Sequence, residues 1–460
     1  MKKIDWIKLV SRRHSLFRLD LLNRGTPIQV KKVWGIDYDD QMFISSPKLN
    51  AWFCSKEKIN NLGNYILNRV QKERGFAEKI AAETEKSCLE LVKTTKKITA
   101  GNLGKITNKQ LALRLRKYVE AHNEFCTYFD VSNSIKEIGT QQIKDGLVKL
   151  LKAKGKEKLL NDYLEKLLKP DKNPLTNQEQ IELGKIKIGD EAALKKHAKK
   201  YEWLSVYNPD EPVLPCQYFK DRMKDLLKNK PKEKKLEPLA IPANLQKLIK
   251  VMKKYVYLHT FRAEMLSKSY FLLKAFLTEM AVRWKTDLET ICALTPGEII
   301  EALEKGIQPD LEEAKRRRKT YFHLMKAGVI KIYSGKEAER YFLQEVREEQ
   351  KEKTGKQIKG LVASQGLAEG RVRVIVDKRE LEQMEEGEIL VATMTSPDYV
   401  YAIQKSGAVV TDEGGLLCHA AIISREMRKP CVVGTRVATT VFKTGDLVKV
   451  DAYEGIITRK

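Results

Sequence analysis

Thr411-Asp412-Glu413-Gly414-Gly415-Leu416-Leu417-Cys418-His419-Ala420-Ala421-Ile422-Ile423-Ser424-Arg425-Glu426 is the stretch that decides how this chain folds and what it offers chemically. It reads as the end of a strand (Ala408 to Thr411), a loop whose Gly414 and Gly415 permit unusual backbone angles, and an apolar helix starting at or near His419. The free N–H groups and positive dipole end of a helix attract anions, and two glycines let the backbone close around a phosphate. The same field disfavours imidazolium and so favours a neutral, nucleophilic His419. Taken alone, the pattern also fits a histidine that merely caps a helix beside a glycine turn.

Around this stretch the hydrophobic period is that of short strands. Val372, Val374 and Val376 alternate along one run, and Ile389 to Ala392, Cys431 to Val433, Leu447 to Val450 and Ile456 to Thr458 are brief apolar segments bounded by Gly, Asp or Pro. Ser396, Pro397 and Asp398 mark the start of a short helix that ends before Gly407. A compact sheet-and-helix domain over residues 358–460 is predicted.

Gly366-Leu367-Ala368-Glu369-Gly370, Gly387-Glu388-Ile389-Leu390-Val391-Ala392, Thr395-Ser396-Pro397, the central stretch itself, Pro430-Cys431-Val432-Val433-Gly434-Thr435 and Gly445-Asp446-Leu447-Val448-Lys449-Val450-Asp451 form six ordered blocks. In this order they resemble the mobile, swivelling phosphohistidine domain of enzymes that make or use phosphoenolpyruvate, such as phosphoenolpyruvate synthase, pyruvate phosphate dikinase and rifampin phosphotransferase. The resemblance implies that His419 becomes phosphorylated and carries the group between two distant sites, with Gly414, Gly415, Cys418 and Ala420 around the phosphate. Dikinases usually have Thr two residues before the histidine; this chain has Leu417, which puts dikinase details in doubt and leaves the nucleophile intact.

Residues 1–344 read as mostly helical, apart from short alternating runs at Ile28 to Trp34 and Gln41 to Ile44 that predict a hairpin or two. Thr107 with Gln110, and Thr295 with Pro296 and Glu298, are helix-start signatures. The run from residue 244 to about 285 is apolar on too many sides for one stripe, which predicts a central buried helix. Tyr257, His259, Arg262, Glu264 and Tyr270 are its polar or aromatic exceptions. Buried groups of this kind need partners, so Tyr257, His259, Arg262 and Tyr270 are candidates for an acceptor pocket, or else for an internal hydrogen-bond network. Residues 345–357 carry almost no apolar side chains and are read as a hinge. The fold class expected is therefore multidomain, a mostly helical N-terminal region followed by a β/β/α swivelling domain.

The chain is long enough for two or three domains. Residues 357–460 hold 14 basic and 14 acidic residues, so the whole formal charge of +25 falls on residues 1–356. That basic surface is open to nucleic acid, an acidic membrane surface, an anionic substrate or an acidic protein partner, or is simply a solvated face. The seven cysteines are scattered without CxxC spacing, and Asp37, Asp39 and Asp40 read as a solvated turn; no metal site is expected. With no stretch of about 18 apolar residues and a charged N-terminus, neither membrane span nor export signal is expected, and the location expected is cytoplasmic. No glycine-rich phosphate loop precedes the histidine, and no alternating strand–helix run follows it. The resemblance then implies an ATP-grasp protein in trans, holding ATP and Mg, and a small-molecule acceptor on the helical region. A regulatory or nucleic-acid-binding protein that uses the phosphohistidine domain as a sensor is the alternative.

Overall fold

The structure is a computed structural model, and the residues it describes are 4–10, 12–47, 49–228, 236–346, 357–376, 378–415 and 418–460. The strongest helical periods become two long helices, Asn108–Lys152 and Ala243–Arg283, which pack with Phe76–Ile98 and Leu16–Trp34 around the large apolar core. Thr107 and Gln110 exchange hydrogen bonds at the head of the first, at 3.3 and 3.1 Å, and Thr295 with Glu298 builds the same capping box with Pro296 at the first helical position. Gly25 sets how closely Leu16–Trp34 approaches Asn108–Lys152, because a Cβ there would stand 2.9 Å from Cys126 Sγ.

One strand prediction is overturned. Ile28 to Trp34 forms the last turns of helix Leu16–Trp34, capped at its ends by Ser15 and by Gly35 in the left-handed region. Tertiary burial decides it: Leu22, Thr26 and Val30 face the core at four-residue spacing, whereas Ile28 and Val33 are exposed. Gln41 to Ile44 does form a strand, within a five-stranded antiparallel sheet ordered Trp6–Val10, Asn50–Ser55, Gln41–Ser45, Tyr321–Lys326, Val329–Ser334. That sheet joins the two ends of the N-terminal region.

The C-terminal part is an eight-stranded sheet. Its four central strands, Leu367–Ile375, Ile389–Ala392, Ala408–Thr411 and Cys431–Val433, are parallel, and antiparallel strands flank them. Separate apolar clusters cover its two faces, which explains the continuous apolar runs of its inner strands. Helix His419–Glu426 makes the crossover between Ala408–Thr411 and Cys431–Val433.

Of the residues read as a hinge, 345 and 346 end helix Gly335–Val346 and Gln357 opens a strand; 347–356 lie outside the described residues, as do 229–235 of the basic run. In the C-terminal sheet, a Cβ at Gly370 would stand 2.7 Å from the carbonyl oxygen of Gly387, and backbone cannot swing aside as a side chain can. Gly370→Ala is expected to destabilise this part by about 1–3 kcal/mol. Urea unfolding followed by hydrogen exchange in the Leu367–Ile375 strand checks this; an unchanged midpoint would contradict the packing.

Candidate active site

Parallel strands end side by side, and loops leaving their carboxyl ends converge there. Two such loops meet here. Thr395 follows strand Ile389–Ala392, and His419 opens the helix that follows strand Ala408–Thr411. Thr395 is buried, and its Oγ1 lies 2.9 Å from His419 Nδ1. With the ring proton on Nδ1 and donated to that hydroxyl, the lone pair on Nε2 is free to act as a nucleophile.

The loop between strand and helix is held from behind. Asp412 is buried, and its Oδ1 accepts hydrogen bonds from Thr439 N at 3.0 Å and Thr435 Oγ1 at 3.3 Å, while Oδ2 accepts from Thr439 Oγ1. Gly414 has φ +117°, and a Cβ on it would meet Cys418 Sγ at 2.7 Å. Cys418 is the N-cap of the helix and makes no side-chain capping bond. Burial pushes its thiol pKa up, so it packs as a neutral group. Gly415 is exposed beside it and Ala420 is buried in the first turn.

Two arginines of the helical region bear on His419 electrostatically. Burial, then the charges of Arg222 and Arg12, lower the His419 pKa to about 3. Arg12 stacks on Tyr207, its guanidinium carbon 3.8 Å from the ring centroid, and Arg222 pairs with Glu179 at 3.3 Å. A salt bridge from Arg425 to Glu165 at 2.6 Å and a hydrogen bond from Asn161 Nδ2 to the Val362 carbonyl at 3.4 Å join the two parts nearby.

Tyr257, His259, Arg262 and Tyr270 do not form a single pocket. Arg262 donates to Ser132 Oγ at 3.0 Å, to Asn133 Oδ1 at 2.6 Å and to the Phe129 carbonyl, and His259 Nδ1 lies 3.1 Å from the same Asn133 oxygen. This ties helix Ala243–Arg283 to Asn108–Lys152, the internal network that the same residues allowed. Tyr257 stacks on Phe261 with centroids 5.2 Å apart. Tyr270, two turns further along, bonds to His122 Nε2 at 3.2 Å and is the one of the four whose ring meets Arg18, at 5.5 Å.

Sequence reasoning missed Thr395 as an orienting group, although it stands in a recognised block directly after an apolar strand. It also missed Arg12 and Arg222, which no motif marks and which tertiary folding alone brings to His419. Among the described residues, no group of three His, Cys, Asp or Glu could hold a metal, and no helix is long and apolar enough to cross a membrane.

Residues 384–455 match the family model described as PEP-utilising enzyme, mobile domain. A probable phosphoenolpyruvate synthase of Archaeoglobus fulgidus is 45% identical over 172 residues, 37% of this chain and 22% of that protein. The phosphoenolpyruvate synthase of Pyrococcus furiosus is 54% identical over 100 residues, 22% of this chain and 12% of that protein. An uncharacterised phosphotransferase of Bacillus subtilis, YvkC, is 36% identical over 178 residues, 37% of this chain and 21% of that protein. The chain thus spans about a fifth or less of the length of these curated relatives, and the similarity to the mobile domain of the PEP-utilising enzymes lies in its C-terminal part.

The low pKa of His419 has a testable sign. A group whose pKa is lowered in the docked arrangement is neutral there, so docking is favoured above the ordinary value near 6.5 and weakens as pH falls below it. The Cε1–H resonance of His419 is expected to stay constant between pH 8 and pH 5, and Arg222→Ala to raise its midpoint toward 6.5. A wild-type midpoint near 6.5 in NMR titration would contradict the arrangement.

Proposed function

We propose that this chain is a phosphotransferase component that carries a phosphoryl group on Nε2 of His419, between a donor on a partner protein and an acceptor held by the helical region of residues 1–344. The observation that carries this reading is the His419 imidazole itself. It is neutral, held through Nδ1 by Thr395, and set at a helix N-terminus at the carboxyl end of a parallel sheet. The similarity of residues 384–455 to the PEP-utilising mobile domain supports it.

In the charging step the Nε2 lone pair attacks the donor phosphorus, the P–N bond forms and the donor's P–O bond breaks, with the electron pair leaving on the donor oxygen. Thr395 keeps the ring oriented throughout. In the discharging step a nucleophilic oxygen of the acceptor forms the O–P bond as the P–N bond breaks, the electron pair returns to Nε2, and the acceptor's proton leaves to solvent, so that the ring is again neutral with its proton on Nδ1. Positioning and electrostatics supply most of the catalysis in such transfers, and the helix N-terminus with Arg12 and Arg222 provides both. The donor is assigned to an ATP-grasp protein acting in trans with ATP and Mg.

Incubation of the full chain with Mg-ATP and an ATP-grasp protein encoded beside it is expected to give an acid-labile, alkali-stable phosphate that His419→Ala lacks. Thr395→Val is expected to slow labelling roughly tenfold, the worth of one orienting hydrogen bond. Equal labelling of wild type and His419→Ala would sink the assignment.

A further inference from the structure

Arg18 lies in the first turn of helix Leu16–Trp34, only 7% exposed, with its guanidinium carbon 5.8 Å from the Tyr207 ring centroid and 5.5 Å from that of Tyr270. Its Nε and one terminal nitrogen have no hydrogen-bond partner. A buried charged donor left unpaired is strongly unfavourable, so such a group points to a ligand. The carboxylate of Glu211 is nearby, but it accepts from Tyr207 N at 2.7 Å and Asn208 Nδ2 at 2.8 Å, holding its own loop.

A second orphan stands four residues earlier. His14 is 4% exposed, meets Phe43 and Trp52 edge-on with centroids at 5.1 and 5.7 Å, and leaves both ring nitrogens without a partner. Arg12 connects this spot to the carrier. It stacks on the Tyr207 ring that Arg18 also faces, and its charge is felt at His419. The N-terminus of helix Leu16–Trp34 adds its positive end.

We propose that Arg18, with Arg12 and His14 beside it, forms an oxyanion site in the helical region that holds the phosphate or carboxylate group of the acceptor. The assignment rests on the carrier reading and names its acceptor class: a small anion with a second, nucleophilic oxygen directed toward His419. That oxygen attacks the phosphorus on Nε2, the O–P bond forms as the P–N bond breaks, the P–N electron pair returns to Nε2, and the proton lost by the acceptor hydroxyl passes to solvent.

The test uses the full, uncharged chain without any donor, titrated with inorganic phosphate or with acetate at constant ionic strength. Melting temperature and, for phosphate, 31P line width are the readouts. Saturable stabilisation is expected for wild type and equally for His419→Ala, since the site does not need the carrier histidine. A response to phosphate alone marks a phosphate-bearing acceptor, and a response to acetate marks a carboxylate.

Arg18→Met is expected to bind the anion at least tenfold more weakly, yet to melt about as wild type does in anion-free buffer, because it removes two buried donors that have no partner along with the bond to Tyr270. An arginine with a merely structural role would show the reverse. If Arg18→Met does not fold, Arg12→Ala carries the test with the same tenfold weakening. Absence of anion binding by wild type, or binding undiminished in the variants, overturns the proposal. Anion binding without any labelling of His419 would leave the oxyanion site standing and remove the carrier reading; labelling without anion binding would do the opposite.

Discussion

Burial of one imidazole beside two arginines is the constraint on which the site depends. An ordinary histidine is partly protonated near neutral pH, and a protonated ring has no lone pair to offer a phosphorus atom. Burial, with the charges of Arg222 and Arg12, pushes protonation of His419 far below that range. The rest of the C-terminal part keeps the ring where this works. Adjacent parallel strands bring Thr395 and His419 together, and buried Asp412 anchors the turn between strand and helix.

Local chemistry was legible in the sequence wherever a residue and its partner are close along the chain. The capping boxes at Thr107 and Thr295, the glycine pair before His419 and the apolar runs of the inner strands all belong to this class. What could not be read is set by distance along the chain. Tyr321–Lys326 pairs with Gln41–Ser45 across most of the helical region, so neither segment alone announces a shared sheet. Ile28 to Trp34 alternates like a strand, but burial at Leu22, Thr26 and Val30 enforces a helix.

The site divides along the same line. His419 and its glycines lie within one motif, whereas Thr395 lies one strand away and Arg12 and Arg222 lie in another part of the fold. Tyr257, His259 and Arg262 drew attention as polar groups on an apolar helix. Buried polar groups satisfy one another before they serve a ligand, and Arg262 does so with Asn133, Ser132 and the Phe129 carbonyl. Orphaned donors, as on Arg18, are the more telling sign, and only three-dimensional structure exposes them.

The apolar clusters of the helical region and of the C-terminal sheet share no residue. Contacts between the two parts include polar ones, Arg425 with Glu165 and Asn161 with the Val362 carbonyl, and Glu165 is 57% exposed. Contacts of this kind weaken over a screening length of about 8 Å in physiological salt. A joint held in part by ions and dipoles thus answers to ionic strength in a way that apolar burial alone does not.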